Sequence, residues 1–295
     1  MSTPIASPGG MGRASRRRLW YGLLTVLGLA RRGYFIPHRH AGASAAHRQR
    51  RPYAAIETLL ARQEPRFREV LGWLDALASD LTRITAGPLR PGDPAPRWDQ
   101  SWFPRLDAAV AYALVRRHRP KRIIEVGSGH STRFLARAIA DAGLACRITA
   151  IDPAPRAALP AGVVDLRQER VQDLAPEDVA ALRAGDVLMI DSSHILMPGS
   201  DVDFLLSRVL PLLPAGVLVH FHDIFLPDTY PAAWDWRGYN EQLGILPLVR
   251  DAGWEVIFAS RFVATRMAAA VAGSAVAALP LQPESFESSL WLRVR

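Results

Sequence analysis

Lys121-Arg-Ile-Ile-Glu-Val-Gly-Ser-Gly-His-Ser-Thr-Arg-Phe-Leu135 is a short apolar run, an acid, two glycines one residue apart, and then a helical pattern. It reads as a strand, a tight turn and a helix. Glycine has no Cβ, so the backbone at Gly127 and Gly129 can approach a ligand closely, and the following helix offers unpaired N–H groups at its start. The stretch therefore marks a site for a nucleotide-like cofactor. A dinucleotide-binding turn would carry a third glycine for helix–strand packing. Position 132 holds threonine instead.

Further along, the same pattern recurs. Cys146-Arg-Ile-Thr-Ala-Ile-Asp152 is a second apolar run ending in an acid, where a nucleotide-binding α/β fold places a carboxylate for the ribose hydroxyls. Asp186-Val-Leu-Met-Ile-Asp191 and Ala215-Gly-Val-Leu-Val-His-Phe-His-Asp223 are two more. Strands alternating with helical stretches imply a mostly parallel sheet with ligands at the strand C-terminal ends. An acid after a strand is also a common helix cap or turn former, so each acid taken alone has a bland reading.

Glu125-x-Gly127-x-Gly129 resembles the first motif of class I S-adenosylmethionine (SAM)-dependent methyltransferases. The resemblance covers roughly residues 104–295. It implies an α/β fold, a Rossmann-like seven-stranded sheet flanked by helices, here with a helical N-terminal extension. Strands are expected near 122–126, 147–151, 163–167, 186–190, 216–221, 254–259 and 289–294, the last two forming an antiparallel end. It also implies SAM as cofactor, with Glu125, Gly127, Ser128 and Gly129 in the first motif and Asp152 on the ribose. Gln172 and Asp173 fall where the family contacts adenine, and Asp191 near the methionine part or a metal.

Methyl transfer from a sulfonium needs alignment of donor and acceptor, and a hydroxyl acceptor needs a base or a metal to make it nucleophilic. His194, His222 and Asp191 are the candidate catalytic groups. Asp191-Ser-Ser-His194 with His220-Phe-His-Asp223 resembles the region where some sugar and natural-product O-methyltransferases, a subgroup with cephalosporin-hydroxylase-like members, bind magnesium. That subgroup has an acidic pair after the fifth strand, whereas this chain has His222-Asp223. Magnesium prefers oxygen ligands, so a metal set of Asp191, His222 and Asp223 suits a softer divalent ion such as manganese better. His220 shares a strand face with His222 and reads equally as a core histidine.

Upstream lies a basic arm. No Asp or Glu precedes Glu57, whereas ten arginines do, and removing those ten charges takes the net charge from +8 to −2. Leu19–Ala30 is an uncharged apolar run between arginine clusters, too short to span a bilayer as a helix. Three readings stand: a helix packing on its own domain or a partner subunit, peripheral contact with an anionic membrane through residues 13–51, or a signal or anchor. No aromatic–basic interleaving suggests nucleic-acid binding.

The organisation expected is a basic arm over 1–51, a helical extension over 52–103 and a SAM-binding methyltransferase domain over 104–295. Glu57 to Ile84 has helical spacing with a break near Pro65, Gly87–Pro96 reads as a loop, and Ala41–Arg51 as a linker. Trp102 and Phe103 either line the acceptor site or pack in the core. Phe225–Tyr239, rich in aromatics and proline, reads as a substrate lid or a dimer contact. One cysteine, Cys146, excludes an internal disulfide framework and fits a reducing cytoplasm.

The function expected is cytoplasmic SAM-dependent methylation of a hydroxyl on a sugar, glycan or secondary metabolite, by a chain that could form a homo-oligomer. The rivals are a non-catalytic SAM-fold protein tethering a partner at a membrane, and a NAD-dependent oxidoreductase.

Overall fold

The computed structural model describes residues 13–46, 50–84, 92–250 and 253–295. It divides into two compact units. One comprises the described residues up to Arg50 together with Tyr230–Gly238, the other Arg51–Thr229 and Tyr239–Arg295.

In the first unit, α1 spans Arg13–Val26 and α2 Ala41–Ala46. The second helix lies where a linker was expected. Its sequence, Ala-Gly-Ala-Ser-Ala-Ala, is rich in the strongest helix former. Residues 47–49 lie outside the described residues. Ala232–Arg237 forms a 3₁₀ turn in this unit, and Arg50 pairs with Asp235.

The second unit opens with α3 (Ala54–Ala61), α4 (Glu64–Ala76) and α5 (Ala78–Thr82). Pro65 falls in the first turn of α4, where its missing N–H is not needed. The expected loop at 87–96 is irregular from Gly92, and its part up to Pro91 lies outside the described residues. The rest runs α6 (Arg105–His118), β1 (Arg122–Val126), α7 (His130–Asp141), β2 (Arg147–Ile151), β3 (Val164–Arg167), α8 (Pro176–Val179), β4 (Val187–Ile190), α9 (Asp201–Phe204), β5 (Leu218–Phe221), α10 (Glu241–Arg250), β6 (Glu255–Ala259), α11 (Ser260–Arg266), α12 (Ala268–Ala272) and β7 (Leu290–Arg293).

All seven expected strands are present. They form one sheet in the order β3-β2-β1-β4-β5-β7-β6, parallel except for β7, which runs antiparallel to both β5 and β6. Central strands covered on both faces read as continuous apolar runs, and every residue of β4 and β5 is buried. The edge strand β3 instead alternates Val164-Asp-Leu-Arg167 and is largely exposed, its charges discouraging pairing with another chain. At the other edge α4 covers β6, with Phe67 edge-on to Phe258 at 5.6 Å. Helices α3, α4 and α5 thus share the core of the sheet.

Two polar ties set the strand ends. At the base, Asp186 accepts from the N–H groups of Lys121 and Arg122, joining the starts of β4 and β1. At the other end Asp191 N–H bonds Val126 O, and Gly127 N–H bonds Ile151 O. The chain runs outward from β1 to β3 and returns to β4 on the far side of β1, so β1 and β4 flank the crevice where such sheets bind ligands.

Gly127 has φ +84, and a Cβ there would sit 2.0 Å from the carbonyl oxygen of Asp191. Gly129 differs, since a Cβ there would meet nothing within 4 Å. Gly127→Ala is therefore expected to destabilise the fold by at least ~2 kcal/mol, and Gly129→Ala to leave the melting temperature nearly unchanged while weakening cofactor binding. Thermal melts of both variants check this; equal melting temperatures would contradict it.

Candidate active site

The glycine turn is held from both sides. Glu125 ends β1 fully buried and accepts from Ser131 Oγ and Thr132 Oγ1, both at 2.6 Å. Thr132 Oγ1 also accepts from Gly129 N–H at 2.9 Å. The threonine that replaces the third glycine therefore caps α7. Burial pushes the Glu125 carboxyl up to about 7, against the pull of the two hydroxyls. Glu125 was expected to touch the cofactor. With no exposed surface and both oxygens occupied, it braces the turn instead.

On the open side, Asp152 Oδ2 accepts from Ser128 N–H at 3.0 Å and Ser128 Oγ at 2.7 Å, and its Oδ1 accepts from Ala154 N–H. The half-buried carboxylate at the end of β2 thus faces the same turn as Ser128 and Gly129. Gly129 leaves room at the start of α7 for a ligand. This cradle of backbone, hydroxyl and carboxylate suits SAM. Asp173, expected near adenine, is exposed and held by Arg170 in a two-bond pair at 2.8 Å. That pairing joins residues three apart in the chain, and both partners are exposed. Gln172 is half-buried.

The ends of β4 and β5 bring four of the expected residues together. His194, with φ 60, places Nε2 3.3 Å from Asp191 Oδ1 and 3.5 Å from Asp223 Oδ2. His222 places Nδ1 3.6 Å from Asp191 Oδ1 and 3.5 Å from Asp223 Oδ1. Both imidazoles are buried, while the Asp191 side chain is about one third exposed (36%). Ser288 Oγ donates to Asp223 Oδ1.

Each histidine is backed by a carboxylate that sequence reading did not single out. His194 Nδ1 bonds Glu241 Oε2 at 2.9 Å. Glu241 opens α10 and is held there because its own N–H and that of Asn240 bond the His194 carbonyl. His222 Nε2 faces Asp107 Oδ2 at 3.6 Å. Asp107 is fully buried and accepts from the N–H groups of Ser288 and Ser289. An acid on the same α6 face as Val110 and Leu114 was a visible signal. Glu241 carried none beyond an acid at a helix start.

Burial would lower both histidines. For His194 the bonds to Asp191 and Glu241 and the Asp223 charge outweigh it, and for His222 the Asp191 and Asp223 charges do, so both sit well above the ordinary value. His220 is the opposite case. It is fully buried, bonded to Ser289 Oγ at 2.8 Å, and burial pushes it down to about 3. It is a neutral core residue.

The flanking aromatics separate. Phe103 is core, its ring 5.4 Å from His222, whereas Trp102 is 67% exposed and stacks on His130 at the start of α7. At the far end of the 225–239 insertion, Tyr239 lays its ring 4.6 Å from His194. Its near end is anchored, with Asp228 bonded by Arg261 and Arg266.

Among the described residues no three His, Cys, Asp or Glu side chains are set to hold a metal ion. The metal set expected from sequence, Asp191, His222 and Asp223, lies as imidazole–carboxylate pairs at 3.5–3.6 Å.

Residues 124–224 match the family model of a methyltransferase domain. With the sheet order above, that segment is a methyltransferase domain on a Rossmann-like seven-stranded sheet.

No curated protein matches this chain in sequence. Among solved structures it is similar to the methyltransferase PaMTH1 of Podospora anserina bound to S-adenosylhomocysteine, at 17% identity and TM-score 0.40, over 89% of this chain and 99% of that one. It is similar to MycE of the mycinamycin biosynthetic pathway, in complex with Mg, S-adenosylhomocysteine and mycinamycin VI, at 15% identity and TM-score 0.41, over 75% and 54%. A ligand-free CmcI structure matches at 17% identity and TM-score 0.38, over 64% and 71%.

Glu125 generates a pH prediction. Its carboxyl rises from 4.5 unfolded to about 7 folded. The fold therefore holds this proton more tightly, and stability present below about 4.5 is lost as pH climbs to about 7. The loss is on the order of 3 kcal/mol at most. Glu125→Gln is expected to flatten the fall in melting temperature across that window. Parallel curves for variant and wild type would contradict it.

Proposed function

We propose that this methyltransferase acts on oxygen. It passes the methyl group of SAM to a hydroxyl of a sugar, glycan or secondary metabolite, with His194 as the general base. The observation that carries this is His194 itself, bonded through Nδ1 to Glu241 at the C-terminal end of β4. Glu241 accepts the Nδ1 proton, which leaves Nε2 as the proton-accepting atom, facing Asp191 at the crevice. Absence of an Asn/Asp-Pro-Pro-Tyr/Phe run after β4, where Asp191-Ser-Ser-His194 stands, argues against nitrogen as acceptor.

Bound SAM supplies an electrophilic methyl group on a positively charged sulfur. Gly129 and Ser128 leave the space and Asp152 the acceptor oxygens to seat it. A positive charge near Asp191 would favour the neutral form of His194, the form a base requires. His222 lies between Asp191 and Asp223 with Asp107 behind it, and its charge helps hold the Asp191 carboxyl well below the usual carboxylate range. No acid is needed for the leaving thioether, which departs neutral.

Titration with S-adenosylhomocysteine in a calorimeter tests the cofactor site. Asp152→Asn keeps an acceptor for Ser128 but removes the charge, and is expected to weaken binding by about tenfold or more. Unchanged binding would place the ribose elsewhere.

A screen of hydroxylated acceptors tests the base. His194→Gln is expected to lower kcat by about 10²–10⁴ with S-adenosylhomocysteine binding retained. Because His194 is raised above 6.5, the wild-type rate should climb with pH through a value above 6.5, and the variant should lose that limb. Turnover should survive chelation by EDTA. Loss of activity on chelation, or preference for amine acceptors, would overturn the reading.

A further inference from the structure

Nine of the fifteen exposed large apolar side chains among the described residues lie between Leu19 and Ile36. Five of them share one face of α1. Leu19, Trp20, Leu23, Val26 and Leu27, the last just past its end, recur at i, i+1, i+4, i+7 and i+8, an apolar stripe of about 120°. They are 47–66% exposed. Tyr21, Leu24 and Thr25, on the other side, are half-buried, and Thr25 Oγ1 is bonded to the Tyr21 carbonyl and to Arg32 N–H. The chain then continues through Leu29 and Tyr34-Phe-Ile36, at 58–72% exposure. A contiguous apolar surface of this kind marks an interaction site.

Its surroundings select the occupant. Arg16, Arg17, Arg18, Arg31, Arg32 and Arg39 flank the stripe, and no acid precedes Glu57. Asp235, which shares the unit, is paired with Arg50. A second copy would set the same arginines against themselves across a two-fold axis. An anionic bilayer complements both features, with lipid chains for the stripe and headgroup charge for the arginines. Trp20, Tyr34 and Phe35 are side chains suited to the headgroup boundary. A 14-residue helix is about 21 Å long against a hydrocarbon core of about 30 Å. No described helix is long and apolar enough to cross a membrane.

We propose that residues 13–39 dock the methyltransferase on an anionic bilayer, with α1 lying in the interface and its Leu19–Leu27 face inserted. The enzyme would then meet its acceptor at a lipid surface.

Co-sedimentation of the full chain with vesicles of phosphatidylcholine, with and without phosphatidylglycerol, tests this. Binding to the anionic vesicles is expected to be at least about tenfold tighter and to weaken with salt. Trp20→Glu with Leu23→Glu is expected to abolish it while leaving S-adenosylhomocysteine binding unchanged, which shows that the variant is folded. Equal binding to both vesicles, wild-type binding by the variant, or a dimer in light scattering that the same two substitutions dissolve would each overturn the proposal.

Discussion

The close approach of β1 and β4 at Gly127 organises the site. The Asp191 carbonyl lies where a side chain of residue 127 would be, and the Asp191 N–H bonds Val126. One missing Cβ lets the two strand ends meet. That meeting aims the glycine turn toward Asp152 on one side and sets Asp191 toward the histidines on the other. The glycine turn and the histidine–carboxylate cluster are thus joined through a single backbone contact at the point where the chain reverses its direction across the sheet.

Around that contact the polar groups sort by whether their charge is satisfied. Glu125 is buried with only hydroxyl donors, so burial raises its pKa and it serves as a brace. His220 is buried with a lone hydroxyl partner, so it stays neutral. His194 and His222 are as deeply buried yet each lies among carboxylates, which raise both above the ordinary value. Three histidines within the same few strand ends thereby take different roles from one rule: desolvation favours the neutral form unless a charge is held close enough to oppose it.

The two units of the chain present different chemistry. Without the ten arginines before Glu57 the remainder carries a net charge of −2, so the basic character belongs to the N-terminal segment. In the sheet-bearing unit most apolar side chains are enclosed, whereas in the other a full helix face of them meets solvent beside arginines.

The fold was legible in the sequence because its signals are local. Buried parallel strands are continuous apolar runs, their ends carry acids or glycines, and the edge strand betrays itself by Asp165 and Arg167. Gly127, Asp152 and Asp191 could be placed on the same basis, each at a strand end. The partners of those residues were not legible. Glu241 stands 47 positions from His194, and Asp107 more than a hundred from His222. Pairings at such separation have no periodicity to read. Nor could the sequence say that Thr132 completes a cap, that Arg170 pairs with Asp173, or that the apolar stripe of α1 stays in solvent. Strand identity depends on neighbours in the chain. Charge state, tautomer and exposure depend on neighbours in space, and only the packed structure decides those.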